Sequence, residues 1–186
     1  MALAAALIAI CWIVWAVTWI VTALIFRPPT TDARTPGQVR LRSRSFRLIL
    51  VALFIAVSSQ HVGDVRFGRA GDVPGVVLCA GGVAIAIWAR VCLGRNWGMP
   101  MTVRGRPALV RRGPYRVVRH PIYSGLLLAA VGTALVAGAM FLVVAAGAGA
   151  YFVMSLRIEE ADMASLFPDD YPRYAAHTKR LIPFVY

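Results

Sequence analysis

Two short polar segments of this chain carry the side chains whose types and spacing are suited to chemistry. The candidate side chains are Arg119, His120 and Tyr123 in GPYRVVRHPIYSG (113–125), and Arg157, Glu159 and Glu160 in RIEE (157–160). Pro121 disfavours helix at His120 and suits the first turn of a helix that follows. The free N–H groups and the positive dipole end of such a helix favour an anion such as a carboxylate.

The apolar stretch between the two segments brings them together. From residue 122 to residue 156 the chain is almost wholly apolar, which is too long for one span and predicts a tight helical hairpin turning near 138–140. Folded about Met140, Tyr123 and Arg157 reach the same membrane depth. Taken singly, such arginines could set topology, the tyrosines could anchor at the interface and the glutamates could pair locally. Their convergence at one depth favours a binding site.

Blocks of apolar sequence predict the elements that position this site. Hydrophobic residues make up 59% of the 186 residues and are concentrated in long segments. The sequence predicts an all-α integral membrane protein of about five transmembrane helices, the last two a tight hairpin, followed by an amphipathic cytoplasmic tail. The predicted spans are 2–26, 48–59 with its flanks, 73–93 and the hairpin 121–156. The first is an uncleaved span, because it lacks the basic start of a signal peptide.

The charge pattern predicts the orientation of these helices. The formal net charge is +12, and fourteen arginines fall in the connections 27–47 and 90–119, against two in 60–72. The positive-inside rule then places the N-terminus outside and the C-terminus in the cytoplasm, as in a bacterial inner membrane. It also explains the basic composition without nucleic acid. Residues 1–93 would hold three helices with the basic cytoplasmic loop, and 94–186 the functional half.

The cysteines, histidines and glycines predict neither a metal site nor a nucleotide-binding loop. The three cysteines and three histidines form no CxxC motif and no cluster, so no metal is expected. Gly147 and Gly149 resemble part of GxGxxG, but no strand precedes them. The glycines of the hairpin, Gly132 and Gly138 among them, instead predict close packing of two membrane helices.

Three segments taken together resemble the isoprenylcysteine carboxyl methyltransferase family and its bacterial relatives. They are LGRNWG (93–98), PALVRRGPYRVVRHPIYSG (107–125) and RIEEADMASLFPDDYPRYAAHTKRLIPF (157–184). The shared pattern is RHPxYxG, a pair of glutamates, two spaced tyrosines and a final basic-x-x-Pro. Pro168 stands where the family often has glycine. The resemblance covers about half of the chain.

The resemblance implies a membrane enzyme that uses S-adenosylmethionine, with S-adenosylhomocysteine as product, in a cytoplasm-facing pocket of the functional half. The cofactor-binding residues it implies are Pro107, Ala108, Leu109, Val110, Tyr115, His120, Pro121, Ile122, Tyr123, Glu159 and Glu160. Arg157 would hold the acceptor, with Arg119 in reserve. Glu160 shares a helix face with Arg157 at i+3 and is its expected partner. Which glutamate contacts the cofactor stays open.

Methyl transfer to a carboxylate requires positioning and removal of water, because a carboxylate is already ionised at neutral pH. An isoprenoid-type or lipid-like acceptor entering from the bilayer is the leading hypothesis, since the composition is typical of a GC-rich bacterium. A prenylated protein is less expected there. A phospholipid amine is an alternative, and it would need Glu160 or His120 as a base. The other alternative is an NADPH-dependent enzyme similar to membrane sterol reductases.

Overall fold

In the computed structural model, helices follow the predicted apolar blocks. The structure describes residues 2–26, 67–96 and 108–186. The α-helices are α1 (Ala2–Ile25), α2 (Gly68–Leu93), α3 (Pro121–Ala137), α4 (Met140–Leu166) and α5 (Asp170–His177), with 3-10 turns at Gly94–Asn96 and Gly113–Arg116. These three described stretches contain no β-strand, so they are helical as the sequence predicts.

Three of these helices, α1, α2 and α4, are long and apolar enough to cross a bilayer. α3 has 17 residues, a length of about 25 Å at 1.5 Å per residue, and lies along α2. The chain is therefore a helical membrane protein. The predicted span at 48–59 and the basic loop 27–47 lie outside the described residues, so the count of five spans and the orientation stay predictions.

α2 and α3 run antiparallel with their backbones almost in contact. A Cβ atom on Gly82 would lie 2.4 Å from the carbonyl oxygen of Gly125. One on Gly132 would lie 2.4 Å from the backbone nitrogen of Cys79. The two helices can approach this closely because no side chain projects between them at these positions.

The sequence predicts close helix packing at the glycines of the hairpin, and the structure shows which helix each of them faces. Gly132 packs on α2 rather than on α4, and a Cβ on Gly147 would meet open space. A Cβ on Gly149 would be 3.6 Å from Leu127 of α3, an ordinary van der Waals distance. The predicted close packing is therefore present at Gly132 of α3, where the partner is α2. The sequence does not identify this partner, because a small residue permits approach by any neighbouring helix.

α1 is joined to this pair at two levels. Trp12 Nε1 donates a hydrogen bond of 3.0 Å to Thr133 Oγ1 of α3. Towards the far end of α1, the guanidinium carbon of Arg90 on α2 lies 6.0 Å from the centre of the Trp19 ring and 5.5 Å from that of Phe26. These cation–π contacts help to stabilise the buried side chain of Arg90 near the C-terminal end of α2.

α4 begins after a turn at 138–139, within the region where the sequence predicts the hairpin to turn. Gly138 has a φ of 126°, which favours glycine. α4 then continues past the predicted end of the hairpin at 156 to Leu166. The added stretch, RIEEADMASL, contains no proline or glycine and is rich in good helix formers. The two glutamates therefore project from a continuous helix and not from a tail.

The segment after α5 folds back beside the start of α3. Val118 and Lys179 form a parallel β-bridge. The N–H group of Arg119 donates to the carbonyl oxygen of Lys179 over 2.7 Å, and that of His120 donates to the carbonyl oxygen of Arg180 over 3.0 Å. The backbone of the RHP motif is thus held by residues some sixty positions further along the chain.

Candidate functional site

Glu160 lies at the centre of a cluster of charged side chains at the start of α3. Its Oε1 accepts a hydrogen bond of 2.8 Å from Arg119 Nε and lies 3.4 Å from His120 Nε2. Its Oε2 accepts one of 2.9 Å from Arg180 Nε. The Glu160 side chain is 12% exposed, so these three partners account for most of its capacity to accept hydrogen bonds. The name polar clasp is used below for five residues: Arg119, His120, Glu159, Glu160 and Arg180.

Arg119 is oriented by backbone carbonyls as well as by Glu160. Its Nη1 donates to the carbonyl oxygen of Ala175 over 3.0 Å and to that of Thr178. A guanidinium has five donors in a fixed fork, and here its bonds reach α4 and the end of α5 together. Arg119 therefore connects α3, α4 and the C-terminal segment at one point.

Glu159 has a more open environment than its neighbour. Its Oε1 accepts a hydrogen bond of 2.5 Å from the Tyr123 hydroxyl, and its Oε2 lies 3.6 Å from His120 Nδ1. The side chain is 48% exposed. Successive residues of a helix point in directions about 100° apart, so one glutamate is enclosed while the other keeps acceptor capacity towards solvent.

Three stacked rings form one wall beside Glu159. The His120 and Tyr123 rings lie 5.7 Å apart at 9°, and Tyr123 and Phe152 lie 4.4 Å apart at 10°. Offset stacking of this kind fixes ring orientation. The Tyr123 hydroxyl is consequently held in the position from which it donates to Glu159.

His120 is buried between the two glutamates, and its pKa reflects both facts. Burial alone would lower the pKa of His120, but hydrogen bonds to Glu159 and Glu160 raise it above its ordinary value. The imidazole therefore keeps its positive charge over more of the neutral range. When this imidazole is protonated, the polar clasp contains three cations and two carboxylates.

Tyr115 lies buried below the clasp, in the 3-10 turn Gly113–Arg116. Its carbonyl oxygen accepts a hydrogen bond of 2.7 Å from the Tyr174 hydroxyl of α5. Burial raises the pKa of the Tyr115 hydroxyl and raises that of Tyr174 to about 12. Gly113 has a φ of 60°, and a Cβ there would lie 2.6 Å from Cys92 Sγ, so the turn packs directly on the end of α2.

The structure brings most of the sequence-predicted site residues into this region. His120, Tyr123, Glu159, Glu160 and Arg119 form direct contacts, and Pro121 begins α3 as a fully buried residue. Leu109, Val110 and Ile122 are half-buried and Ala108 is exposed. Pro107 lies outside the described residues, as does most of the loop between α2 and the 3-10 turn.

Arg157 does not pair with Glu160, although their i+3 spacing predicts it. Arg157 is exposed on α4 and makes no hydrogen bond or ion pair with the other described residues. Glu160 is instead enclosed by Arg119 and Arg180. Glu160 thus pairs with arginines that are distant in sequence, and not with Arg157 on its own helix. One of them, Arg119, is already oriented by backbone carbonyls.

Three further residues support the site without having been predicted from the sequence: Arg180, Thr178 and Tyr174. Arg180 is the basic residue of the final basic-x-x-Pro pattern, so the signal was present. Its function was hidden because the contact depends on the chain folding back over twenty residues onto Glu160. Within the described part of the chain, no group of three His, Cys, Asp or Glu side chains is arranged to hold a metal ion.

Comparison with known proteins gives a relative for part of the chain. A stretch of 70 residues is 39% identical to methanethiol S-methyltransferase 1 of Bradyrhizobium diazoefficiens. The match covers 38% of this chain and 24% of that relative. The likeness therefore concerns a shared segment and not the whole of either protein.

The sequence pattern of a protein family matches a longer part of the chain. The match to phospholipid methyltransferases extends over residues 72–170, which is more than half of the chain. It covers most of α2, all of α3 and α4, and both polar segments. It confirms the resemblance to membrane methyltransferases that the RHPxYxG and glutamate motifs indicated. This chain belongs to the phospholipid methyltransferase family.

Proposed function

We propose that this chain transfers a methyl group from S-adenosylmethionine to the carboxylate of an isoprenoid-type or other lipid-like acceptor. The observation that carries the proposal is the polar clasp at the end of the membrane helices, with Glu160 enclosed and Glu159 open. Such a site serves a cofactor from water and an acceptor from the bilayer. We further propose that this site lies on the cytoplasmic side of a bacterial inner membrane.

The balance of charge in the clasp supports an anionic acceptor. Arg119, Arg180 and a histidine with a raised pKa surround one buried carboxylate. An amine acceptor would need a base to remove its proton. Glu160 is bound by two guanidinium groups, and the two ring nitrogens of His120 face the two glutamates. Neither side chain is therefore well placed to take a proton from an amine. A carboxylate needs no base, because it is already ionised at neutral pH.

Glu159 is the residue that we assign to the cofactor. S-adenosylmethionine supplies a methyl group on a sulfonium and also carries an ammonium group. A half-exposed carboxylate suits that ammonium through a charge-assisted hydrogen bond. His120 and Tyr123 would form the adjoining wall, and residues 107–110, Tyr115, Pro121 and Ile122 the rest of the pocket. Glu160 then acts as a positioning residue that orients His120.

Arg157 is the guanidinium that remains available for the acceptor. Arg119 is engaged by Glu160 and by two carbonyl oxygens, whereas Arg157 is exposed on the same helix as the glutamates. It would hold one oxygen of the acceptor carboxylate so that the other faces the methyl group of the sulfonium. The new O–CH3 bond would replace the S–CH3 bond, and S-adenosylhomocysteine would leave. We therefore assign Arg157 to catalysis and Arg119 to positioning.

Two other acceptor classes have support from the comparisons. The relative from Bradyrhizobium diazoefficiens is named for a thiol acceptor, and a thiolate is also an anion that the clasp would attract. The family is named for phospholipids, some of which carry an amine. Membership of a methyltransferase family favours all three acceptors over NADPH-dependent reduction.

The experiment is transfer of tritiated methyl from S-adenosylmethionine by the purified protein in lipid vesicles. The acceptors to compare are an isoprenoid thioether carboxylate, phosphatidylethanolamine and a small alkyl thiol. A methyl ester releases volatile methanol in base, whereas N-methyl and S-methyl products do not. We expect base-labile counts with the carboxylate acceptor. Base-stable counts alone would contradict the carboxylate assignment, and no transfer to any of them would contradict the proposal as stated.

A further inference from the structure

The last described residues form a closed turn whose apolar side chains point out of the protein. In the 182–186 turn, the N–H groups of Leu181 and Ile182 donate to the carbonyl oxygen of Tyr186 over 2.7 Å each. Phe184 is 91% exposed, Val185 72% and Ile182 55%. A turn that is closed by its own hydrogen bonds yet exposes three large apolar side chains is typical of an interaction surface.

Phe184 is also held in an unusual backbone conformation. Its φ is 66°, in the left-handed region that residues other than glycine rarely adopt. No contact within the described protein buries the ring in return, since almost all of it is exposed. The hydrogen bonds of the turn hold this conformation, and the ring is thereby directed out of the protein, where it is available to contact something outside the chain.

The depth of the turn identifies that contact. Ser124 Oγ, in the first turn of α3, donates to the carbonyl oxygen of Leu181 over 2.6 Å, so the 182–186 turn begins beside the start of α3. The start of α3 adjoins the charged side chains of the polar clasp, and charged groups are costly in hydrocarbon. The first turn of α3 therefore lies at the boundary between hydrocarbon and headgroups.

The polar side chains at the turn fit the same position. The guanidinium carbon of Arg180 lies 5.5 Å from the centre of the Tyr186 ring, and Arg180 Nη1 donates to the Tyr186 hydroxyl over 3.3 Å. Tyrosine with its hydroxyl on the polar side is characteristic of the membrane interface. The exposed Lys179 adds a charge that anionic headgroups attract.

We propose that the 182–186 turn is an interfacial lipid anchor. Contact with lipid then stabilises the clamp, which is the pair of backbone hydrogen bonds from Arg119 and His120 to residues 179 and 180. The apolar side chains of Ile182, Phe184 and Val185 insert beside α3 among the lipids of the leaflet on the site's side. Arg180 and Leu181, immediately before the turn, bind Glu160 and Ser124. Anchoring the turn therefore restrains the residues that enclose Glu160.

The first experiment tests lipid contact and requires no enzymatic activity. The photoreactive residue p-benzoylphenylalanine replaces Phe184, or Ala176 on the exposed face of α5 as the matched control. The protein is irradiated in vesicles of phosphatidylcholine and phosphatidylglycerol, and adducts are identified by mass spectrometry. We expect lipid adducts several-fold more abundant at position 184. Equal yields at both positions, no adduct at 184, or cross-links to a second copy would overturn the anchor.

The second experiment tests the link between the anchor and the clamp. Phe184→Asp places a charge at the interface without removing a buried side chain, so folding should be retained. We expect exchange of the Arg119 and His120 amide hydrogens, which bond to Lys179 and Arg180, to accelerate roughly tenfold. Ala176→Asp should leave both rates unchanged. Unchanged rates in Phe184→Asp would overturn the link even if lipid adducts form.

Discussion

The α2–α3 pair and α4 are held in the protein by different forces. α2 and α3 meet backbone to backbone along their length, as at Gly82 and Gly125. α4 meets α3 more loosely, since Gly147 faces open space, and its polar attachments are made by Glu159 and Glu160 at one end. The carboxylates of the site therefore also hold a membrane helix. The packing of α2 on α3 uses glycines that are not part of the candidate site, whereas α4 is attached through two residues of that site.

The largest expected effect comes from a side chain placed between α2 and α3. In Gly82→Leu, even the Cβ would overlap the Gly125 carbonyl and the Ala129 backbone, and backbone atoms cannot move aside cheaply. We expect a loss of more than about 3 kcal/mol in unfolding free energy, at or beyond the usual range for overpacking. The measurement is thermal unfolding in detergent. The matched control is Gly147→Leu on α4, which should unfold close to the wild-type temperature, and equal effects of the two would refute the contrast.

The next effect separates the two neighbouring glutamates. Glu160→Gln leaves Arg119 and Arg180 facing a neutral amide in a largely buried place, and we expect a cost of about 2–3 kcal/mol. Glu159→Gln affects a half-exposed side chain and should cost less than about 1 kcal/mol. Chemical unfolding of the two variants measures the difference. A costlier Glu159 variant would reverse the assignment of enclosed and open carboxylates.

A smaller effect is the pH dependence contributed by His120. Its pKa is raised in the folded protein, so its stabilising contribution is fully present below its ordinary pKa of about 6.5 and is lost as pH rises through the raised value. The difference in melting temperature between the wild type and His120→Gln should therefore be larger at about pH 6 than at about pH 9. A difference that grows with pH would show that desolvation outweighs the two glutamates.

The smallest effect on stability is expected at Arg157, where the effect on activity is large. Arg157 is exposed and bonds to no other described residue, so Arg157→Ala should change the unfolding free energy by less than about 0.5 kcal/mol. If it holds the acceptor, methyl transfer is lost while cofactor affinity is kept. Arg173→Ala, an exposed arginine of α5, is the control. Unchanged turnover in Arg157→Ala would remove it from the mechanism.

The apolar helices α1, α2 and α3 and the apolar part of α4 were predictable because span length, helix breakers and apolar blocks are local properties. The turn at 138–139 followed from the length of the apolar stretch. The partner of Gly132 did not, because a glycine permits close approach without selecting a neighbour. The partners of Glu160 did not either: the local i+3 spacing favoured Arg157, whereas the structure uses Arg119 and Arg180. Arg180 reaches Glu160 because the C-terminal segment pairs with the backbone of the RHP motif. Residue spacing alone does not predict this long-range pairing.

The most direct test of the proposed function is calorimetric binding of S-adenosylhomocysteine, with NADPH as the comparison ligand. The purified wild-type protein should bind S-adenosylhomocysteine and not NADPH. Glu159→Gln should weaken that binding about tenfold or more, the usual scale for one charge-assisted hydrogen bond, at a nearly wild-type melting temperature. Absence of binding by the wild type, or unchanged affinity in Glu159→Gln, would contradict the proposal that the open carboxylate of the clasp holds the cofactor.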